Sequence, residues 1–179
     1  SLIELLLVIV MVGILAALAL PKVLVDTAQV DTAVRTVGMS IMVAQREAVA
    51  RGHNVLVVFD TSAHAVRTIW DVNNNGQIDG GEKSRPFLLP ERVVFDRPSG
   101  VSALGAASAP MPVMLTSGGK PLLVLQRNGS VDRGITLYLT TPSRRLGATR
   151  NYARAMVLAR ATARPDWYVW TGSQWKRGQ

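Results

Sequence analysis

The feature that most constrains this 179-residue chain is an apolar run at its start that contains one carboxylate, Glu4. From Leu5 to Leu20 no side chain is charged. An unpaired charge at the centre of a helix in lipid costs about 2.5–3.5 kcal/mol, so this carboxylate needs a cationic partner. The next cation, Lys22, is about 27 Å further along a helix that rises 1.5 Å per residue. We therefore expect the partner to come from another chain, such as the α-amino group of a neighbouring copy.

The sequence predicts one long helix over residues 2–51, with two halves in different surroundings. Residues 2–20 are apolar on all sides and about 28 Å long as a helix, close to the roughly 30 Å hydrocarbon core of a bilayer. They lack the basic segment that opens a signal peptide, which is typical of a processed N-terminus. Because Gly13 and Pro21 weaken helices, we expect a kink or an unwound stretch between them.

The second half of this helix carries one apolar stripe and ends at Gly52. Apolar side chains recur at steps of three, four and seven, the period of a helix that packs one face on a domain. The stripe comprises Val23, Val30, Val34, Val37, Ile41, Ala44 and Ala48.

Beyond Gly52 the pattern changes to short β-branched and aromatic runs separated by turn residues, which predicts strands. The runs cover residues 54–59, 65–70, 92–95, 122–125, 135–139, 155–159 and 168–170. Residues 98–121 are rich in Pro, Gly, Ser and Ala and predict a long surface loop. The expected fold is α+β, with a helix (1–51) whose stripe packs on an antiparallel sheet or small β-sandwich head (52–179).

One segment between two predicted strands fits the spacing of a calcium-binding loop, D-x-[DN]-x-[DN]-G-x5-E. Its oxygen ligands would come from Asp71, Asn73, Asn75, Asp79 and Glu82, with the backbone carbonyl of Gln77. Gly76 permits the sharp turn that the loop needs. Calcium is therefore one interpretation, and an Asn/Gly-rich hairpin turn held by Asx hydrogen bonds is the other.

The net charge of +8 lies entirely in the last quarter of the chain, since residues 1–132 carry equal numbers of acidic and basic side chains. A basic segment of this kind favours nucleic acid, anionic lipid or an acidic partner, and it is equally typical of a solvated strand face. The candidate nucleic-acid contacts are Arg144, Arg145, Arg150, Arg154, Arg160 and Arg164. Aromatic residues at 167–175 either stack bases or form core and subunit contacts.

No catalytic or nucleotide-binding motif occurs in the sequence, so we predict that the chain is not an enzyme. The chain contains no cysteine, and its two histidines, His53 and His64, are isolated from one another and from other metal ligands. A membrane-anchored enzyme is therefore the least favoured of three hypotheses, behind a filament subunit and a DNA-binding protein.

The string SLIELLLVIVMVGILAALALP resembles the N-terminus of type IV pilins and type II secretion pseudopilins. In that family the glutamate is usually the fifth residue, whereas Glu4 is the fourth here. The resemblance implies a precursor in the inner membrane, cut by a prepilin peptidase and often N-methylated. Assembly machinery then builds it, with copies of itself or with other pilins, into a helical filament in the periplasm or on the cell surface. The glutamate pairs with the terminal amine of an adjacent subunit, which assigns assembly to Glu4 and Ser1, with Gly13 and Pro21 in the same helix.

The C-terminal part resembles the H-type pseudopilin and FimT-like branch of this family. The matching segments are residues 128–130, 134–137, 153–158 and 162–164. In DNA-binding members of the branch the last segment reads Gly-Arg-x-Arg, but here residues 163–166 read Ala-Arg-Pro-Asp. The resemblance thus implies a structural filament subunit, with a DNA-binding minor pilin as the alternative.

Overall fold

A computed structural model describes residues 1–60, 62–104, 115–117, 120–141 and 152–178. Within these ranges, side chains are described except at residues 16–26, 115–117 and 120–121. Three of the predicted nucleic-acid contacts, Arg144, Arg145 and Arg150, therefore lie outside the described residues.

The chain begins with one helix, α1 (Leu2–Arg51), whose bounds agree with the sequence prediction. It ends because Gly52 adopts a left-handed conformation with φ of 70° and donates its N–H to the Ala48 carbonyl. Glycine takes this conformation without the steric penalty of a Cβ atom. The backbone is helical through Gly13 and Pro21, so the predicted unwound stretch is absent. The side chain of Pro21 lies outside the described residues.

In the part of the chain that the structure describes, nine strands follow and form two antiparallel sheets. The first sheet has the order β3-β2-β1-β5-β4 and the second the order β6-β7-β8-β9. The strands are β1 (Asn54–Asp60), β2 (Ala65–Asp71), β3 (Ser84–Leu88), β4 (Leu115–Ser117), β5 (Lys120–Leu125), β6 (Ile135–Leu139), β7 (Arg154–Leu158), β8 (Pro165–Trp170) and β9 (Trp175–Arg177). The α+β class and the helix packed on antiparallel sheets are thereby confirmed.

The main core lies between α1 and both sheets. The predicted stripe from Val30 to Ala48 is buried, and it contacts strands of the first sheet and of the second. Buried side chains of the stripe, of β1 and β5, and of β6 and β7 form one hydrophobic cluster, so α1 covers a core to which both sheets contribute. Two isolated bridges, Val94 with Thr140 and Leu125 with Val131, add backbone links.

Several features of the β-region differ from the sequence prediction. Residues 92–95 form no strand. A turn from Pro90 to Val93 includes the first two of them, and among the four only Val94 pairs with another described segment. The predicted loop 98–121 contains β4 and the start of β5, while residues 105–114 and 118–119 lie outside the described residues. The pattern also missed β3, because Pro86 interrupts it; proline is tolerated here because β3 is an edge strand.

Two residues of α1 fix how the second sheet packs on it. Gly38 faces the ring of Trp167 so closely that a Cβ atom there would lie 2.6 Å from Cζ3. About two turns further on, Gln45 donates from Nε2 to the carbonyls of Gly129 (2.6 Å) and Thr162 (2.7 Å). These contacts hold β8 and two turns of the head at fixed positions along the helix.

We expect Gly38→Ala to destabilise the protein although alanine is the better helix former by about 1 kcal/mol. The added methyl group would displace Trp167, and overpacking of this kind costs about 1–3 kcal/mol. Thermal unfolding of the full chain in detergent measures the change. Gly13→Ala is the matched control, because a Cβ atom there meets nothing within 4 Å; it should keep or raise Tm. A Gly38→Ala variant as stable as the parent protein would contradict this packing.

Candidate functional site

The first half of α1 is apolar and exposed as far as its side chains are described. Residues 2–15 are all exposed, and no part of the head covers them. The large apolar side chains among them are Leu2, Ile3, Leu5, Leu6, Leu7, Val8, Ile9, Val10, Met11, Val12, Ile14 and Leu15. An exposed apolar surface of this extent is typical of an interaction site. Across the described residues, no helix has both the length and the hydrophobicity needed to cross a membrane.

Glu4 lies in the first turn of α1 and pairs with the start of its own chain. Its Oε2 atom accepts a hydrogen bond from the α-amino group of Ser1 at 2.6 Å, and both side chains are mostly exposed. In a single chain the partner of Glu4 is thus the chain's own terminal amine, and pairing with the amine of a neighbouring copy stays a prediction. The sequence prediction named the terminal amine of a neighbouring copy and overlooked the chain's own terminal amine, which lies one helical turn away.

The predicted calcium loop connects β2 to β3 and is folded by its own side chains. Asp71 is buried at the end of β2, and its two carboxylate oxygens accept the backbone N–H groups of Asn75 (3.0 Å) and Gly76 (2.8 Å). The side-chain amides of Asn73 and Asn75 both donate to Oδ2 of Asp79, at 2.8 Å and 2.7 Å. Four of the six predicted ligand residues thus meet around two carboxylates.

The second part of this loop brings in the remaining two predicted ligand residues. Gln77 donates its backbone N–H to Oδ1 of Asn75, and Oε2 of Glu82 accepts the backbone N–H of Asp79 at 3.1 Å. Oε1 of Glu82 is buried without a hydrogen-bond partner. In the described part of the chain, no three acidic, histidine or cysteine side chains are grouped closely enough to hold a metal by themselves. A cation here would need amide and backbone oxygens as well.

A cleft of about 570 Å³ lies between this loop and the end of α1. Its floor includes Trp70, whose ring is near the guanidinium groups of Arg51 (5.4 Å) and Arg85 (5.6 Å). Glu47 accepts hydrogen bonds from Trp70 Nε1 at 2.9 Å and from Arg85 at 3.3 Å. Sequence reasoning placed Trp70 on a strand but missed this cluster, since its members come from three separate elements.

The described arginines of the basic C-terminal quarter do not form one surface. Arg154 is buried, and its Nε atom lies 2.7 Å from Oδ1 of Asp31 on α1. Arg160 and Arg164 are exposed. Arg177 pairs with Asp166, and that hydrogen bond and charge raise the pKa of Arg177 above its ordinary value. Arg154 therefore stabilises the fold and is not available as a nucleic-acid contact.

The aromatic residues near the C-terminus are mainly packing residues. Trp170 is buried and meets the ring of Trp175 edge-on at 5.2 Å, while Trp167 packs on the main core. Trp175 also donates from Nε1 to the carbonyl of Ser102 at 2.8 Å. Of the two interpretations given from the sequence, core contacts rather than base stacking fit these positions.

Residues 33–162 match the sequence model of the family described as type II transport protein GspH. Two solved structures of the minor pseudopilin EpsH from the type 2 secretion system of Vibrio cholerae are similar in structure. One has 10% sequence identity and a TM-score of 0.49, with 84% of this chain and 96% of that chain covered. The other has 13% identity and a TM-score of 0.48, with 78% and 96% covered. No curated protein matches the sequence significantly.

We expect Asp31→Ala to destabilise the protein by about 2–3 kcal/mol. The change removes one carboxylate from Arg154, which is almost completely buried, and the loss of an ion-pair partner from a buried charge is costly. Arg35→Ala, on an exposed position of the same helix, should change stability by about 0.5 kcal/mol or less. Urea unfolding of both variants measures the difference, and equal stabilities would show that the ion pair does not hold β7 to α1.

Proposed function

The chain belongs to the family of the type II transport protein GspH, and we propose that it is a structural subunit of a type II secretion pseudopilus. The observation that carries this proposal is the exposed apolar half of α1. An apolar helix without a cover in its own chain must be buried elsewhere, because its contact with water is unfavourable by about 25 cal/mol per Å². A bundle of such helices at the centre of a filament provides that burial.

In this proposal polymerisation exchanges one apolar surrounding for another. Before assembly, the inner membrane surrounds residues 2–20, and assembly replaces lipid contacts with contacts to the same helix of other subunits. Packing in such a bundle depends on close van der Waals contact and on satisfied polar groups, since lipid tails are as apolar as leucine side chains. The partners are copies of this chain or other pseudopilins, and the filament lies in the periplasm.

Glu4 is the polar side chain for which this bundle must provide a partner. In the single chain it pairs with the Ser1 amine in water, where exposed ion pairs contribute about 0–1 kcal/mol. Within an apolar bundle an unpaired carboxylate costs much more, so a partner amine from an adjacent subunit would favour one relative position of the two helices. We therefore assign Glu4 the role of setting register between subunits.

The DNA-binding alternative rests on the basic quarter of the chain and has less support. Arg154 is committed to Asp31, and the motif at residues 163–166 lacks the glycine and the second arginine of DNA-binding relatives. A gel-shift assay with the purified chain tests it. We expect only weak binding that disappears near physiological salt; binding that persists there, with a steep salt dependence, would favour DNA capture.

We expect Glu4→Ala and Glu4→Gln to reduce filament formation by about tenfold or more, the equivalent of 1.4 kcal/mol per subunit contact. Neither change should affect Tm of the head, because Glu4 is exposed and touches no head residue. Electron microscopy and cross-linking of assembled subunits measure the outcome. Glu91→Ala, which removes an exposed carboxylate from the head, is the control and should assemble normally. Normal filaments from both Glu4 variants would refute the role given to this residue.

A further inference from the structure

We propose, on the basis of the proposed pseudopilus function, that the outward face of the second half of α1 binds an apolar helix that carries acidic residues. The helix belongs to a filament subunit other than a copy of this chain. This face, the outer seam, lies opposite the buried stripe, and its side chains are exposed except for Met42, which is partly exposed. The outer seam comprises Ala28, Thr32, Arg35, Met39, Met42, Arg46 and Val49.

The spacing of the outer seam indicates that its occupant is a helix. Successive positions are separated by alternating steps of four and three residues. A repeat of 3.5 residues keeps one line of side chains against a second helix over several turns. Because an α-helix has 3.6 residues per turn, the seam drifts by about 20° per seven residues. A partner helix that crosses α1 at a shallow angle of about 20° would follow this drift.

The outer seam continues the surface that the filament buries. Met39 and Val49 are 58% and 53% exposed, although both lie on a helix that packs its opposite face on the head. The same steps of four and three, counted back from residue 28 through 25, 21 and 18, lead into the apolar first half of α1. The exposed positions reached there are Ile14, Met11, Leu7 and Glu4. A helix that packs on the first half can therefore remain in contact along the second.

Two arginines determine what charge the partner carries. Arg35 and Arg46 are exposed, and neither forms an ion pair within the described part of the chain. Eleven residues separate them, which is about 16.5 Å along a helix. Acidic side chains at the same spacing on the partner would pair with both. Charged residues on a helix seam fix its register and its choice of partner, because like charges at the contact are repelled.

The second half of α1 in a copy of this chain does not offer those acids. Between residues 27 and 51 the acidic residues of α1 are Asp31 and Glu47. Asp31 pairs with Arg154, while Glu47 binds Trp70 and Arg85, so both already hold the head of their own chain. The net charge of +8 adds repulsion between copies. These charges favour an acidic subunit over a second copy as the neighbour of the seam.

Site-specific photo-cross-linking tests the outer seam in cells that produce the chain with the other subunits of its pseudopilus. A benzophenone amino acid at position 39 should cross-link to a different subunit, on a helix with two acidic residues about eleven positions apart. A product that contains mainly two copies of this chain, or a partner helix without such acids, would overturn the proposal.

The same probe at position 11, in the apolar first half of α1, separates this inference from the proposed function. It should cross-link whenever the chain enters a filament, because Met11 is exposed in the single chain. A cross-link at position 11 without one at position 39 would overturn the role of the outer seam alone. Loss of both cross-links would contradict the pseudopilus function itself.

Charge reversal identifies the part played by the arginines. Arg35→Glu combined with Arg46→Glu should reduce the position-39 cross-link by about tenfold or more and retain the position-11 cross-link. Tm should change by less than about 3 °C, because both arginines are exposed. Arg127→Glu, at an exposed position of the head, is the matched control and should leave both cross-links unchanged.

A charge swap completes the test. Replacement of the two partner acids by arginine should restore the position-39 cross-link in the charge-reversed variant, a rescue that a purely apolar contact would not show. An undiminished position-39 cross-link after charge reversal, or a diminished one without rescue, would overturn the proposed pairing.

Discussion

The burial of one helix stripe against two sheets is the interaction on which the whole structure depends. Val37 and Ile41, at the middle of the stripe, are completely buried, and each such side chain stabilises the fold by about 1.5–3 kcal/mol. Because the stripe and buried side chains of both sheets form one hydrophobic cluster, α1 helps to hold the two sheets in their mutual orientation. A change in the stripe therefore affects both sheets at once, which explains the close contacts at Gly38 and Gln45.

The two halves of α1 suit different surroundings, and this division follows from the pattern of side chains alone. From Val30 onward the apolar residues occupy one face, and polar residues such as Arg35 and Arg46 remain exposed. Before residue 16 every side chain is exposed, and only Ser1 and Glu4 are polar. The apolar face of the second half is thus buried within its own chain, whereas the apolar side chains of the first half stay exposed until other apolar surface covers them. Because the helix is continuous, whatever covers the first half also positions the head.

Side-chain pattern predicted the helix with a regular apolar stripe and the strands that are continuous apolar runs. The bounds of α1 and β6 agree with the prediction and those of β1 differ by one residue; nearly every residue of β1 and β6 is buried. The pattern failed for strands that are held by backbone hydrogen bonds rather than by burial. Strand β3 is mostly exposed and contains Pro86, and β9 has only three residues. The pattern also failed at residues 92–95, which have β-branched residues but only one pairing partner. The apolar residues there pack beneath a turn and do not form a strand.

The contacts between distant residues could not be predicted, because no local pattern records them. Trp70 is an example: its place in β2 follows from alternation, but Glu47, which binds its indole N–H, is 23 residues away on α1. Glu47 also holds Arg85 of the edge strand β3, so one carboxylate joins the helix to two neighbouring strands of the first sheet. The loop sequence alone therefore fixes which oxygens are available, while the helix fixes where the loop begins and ends.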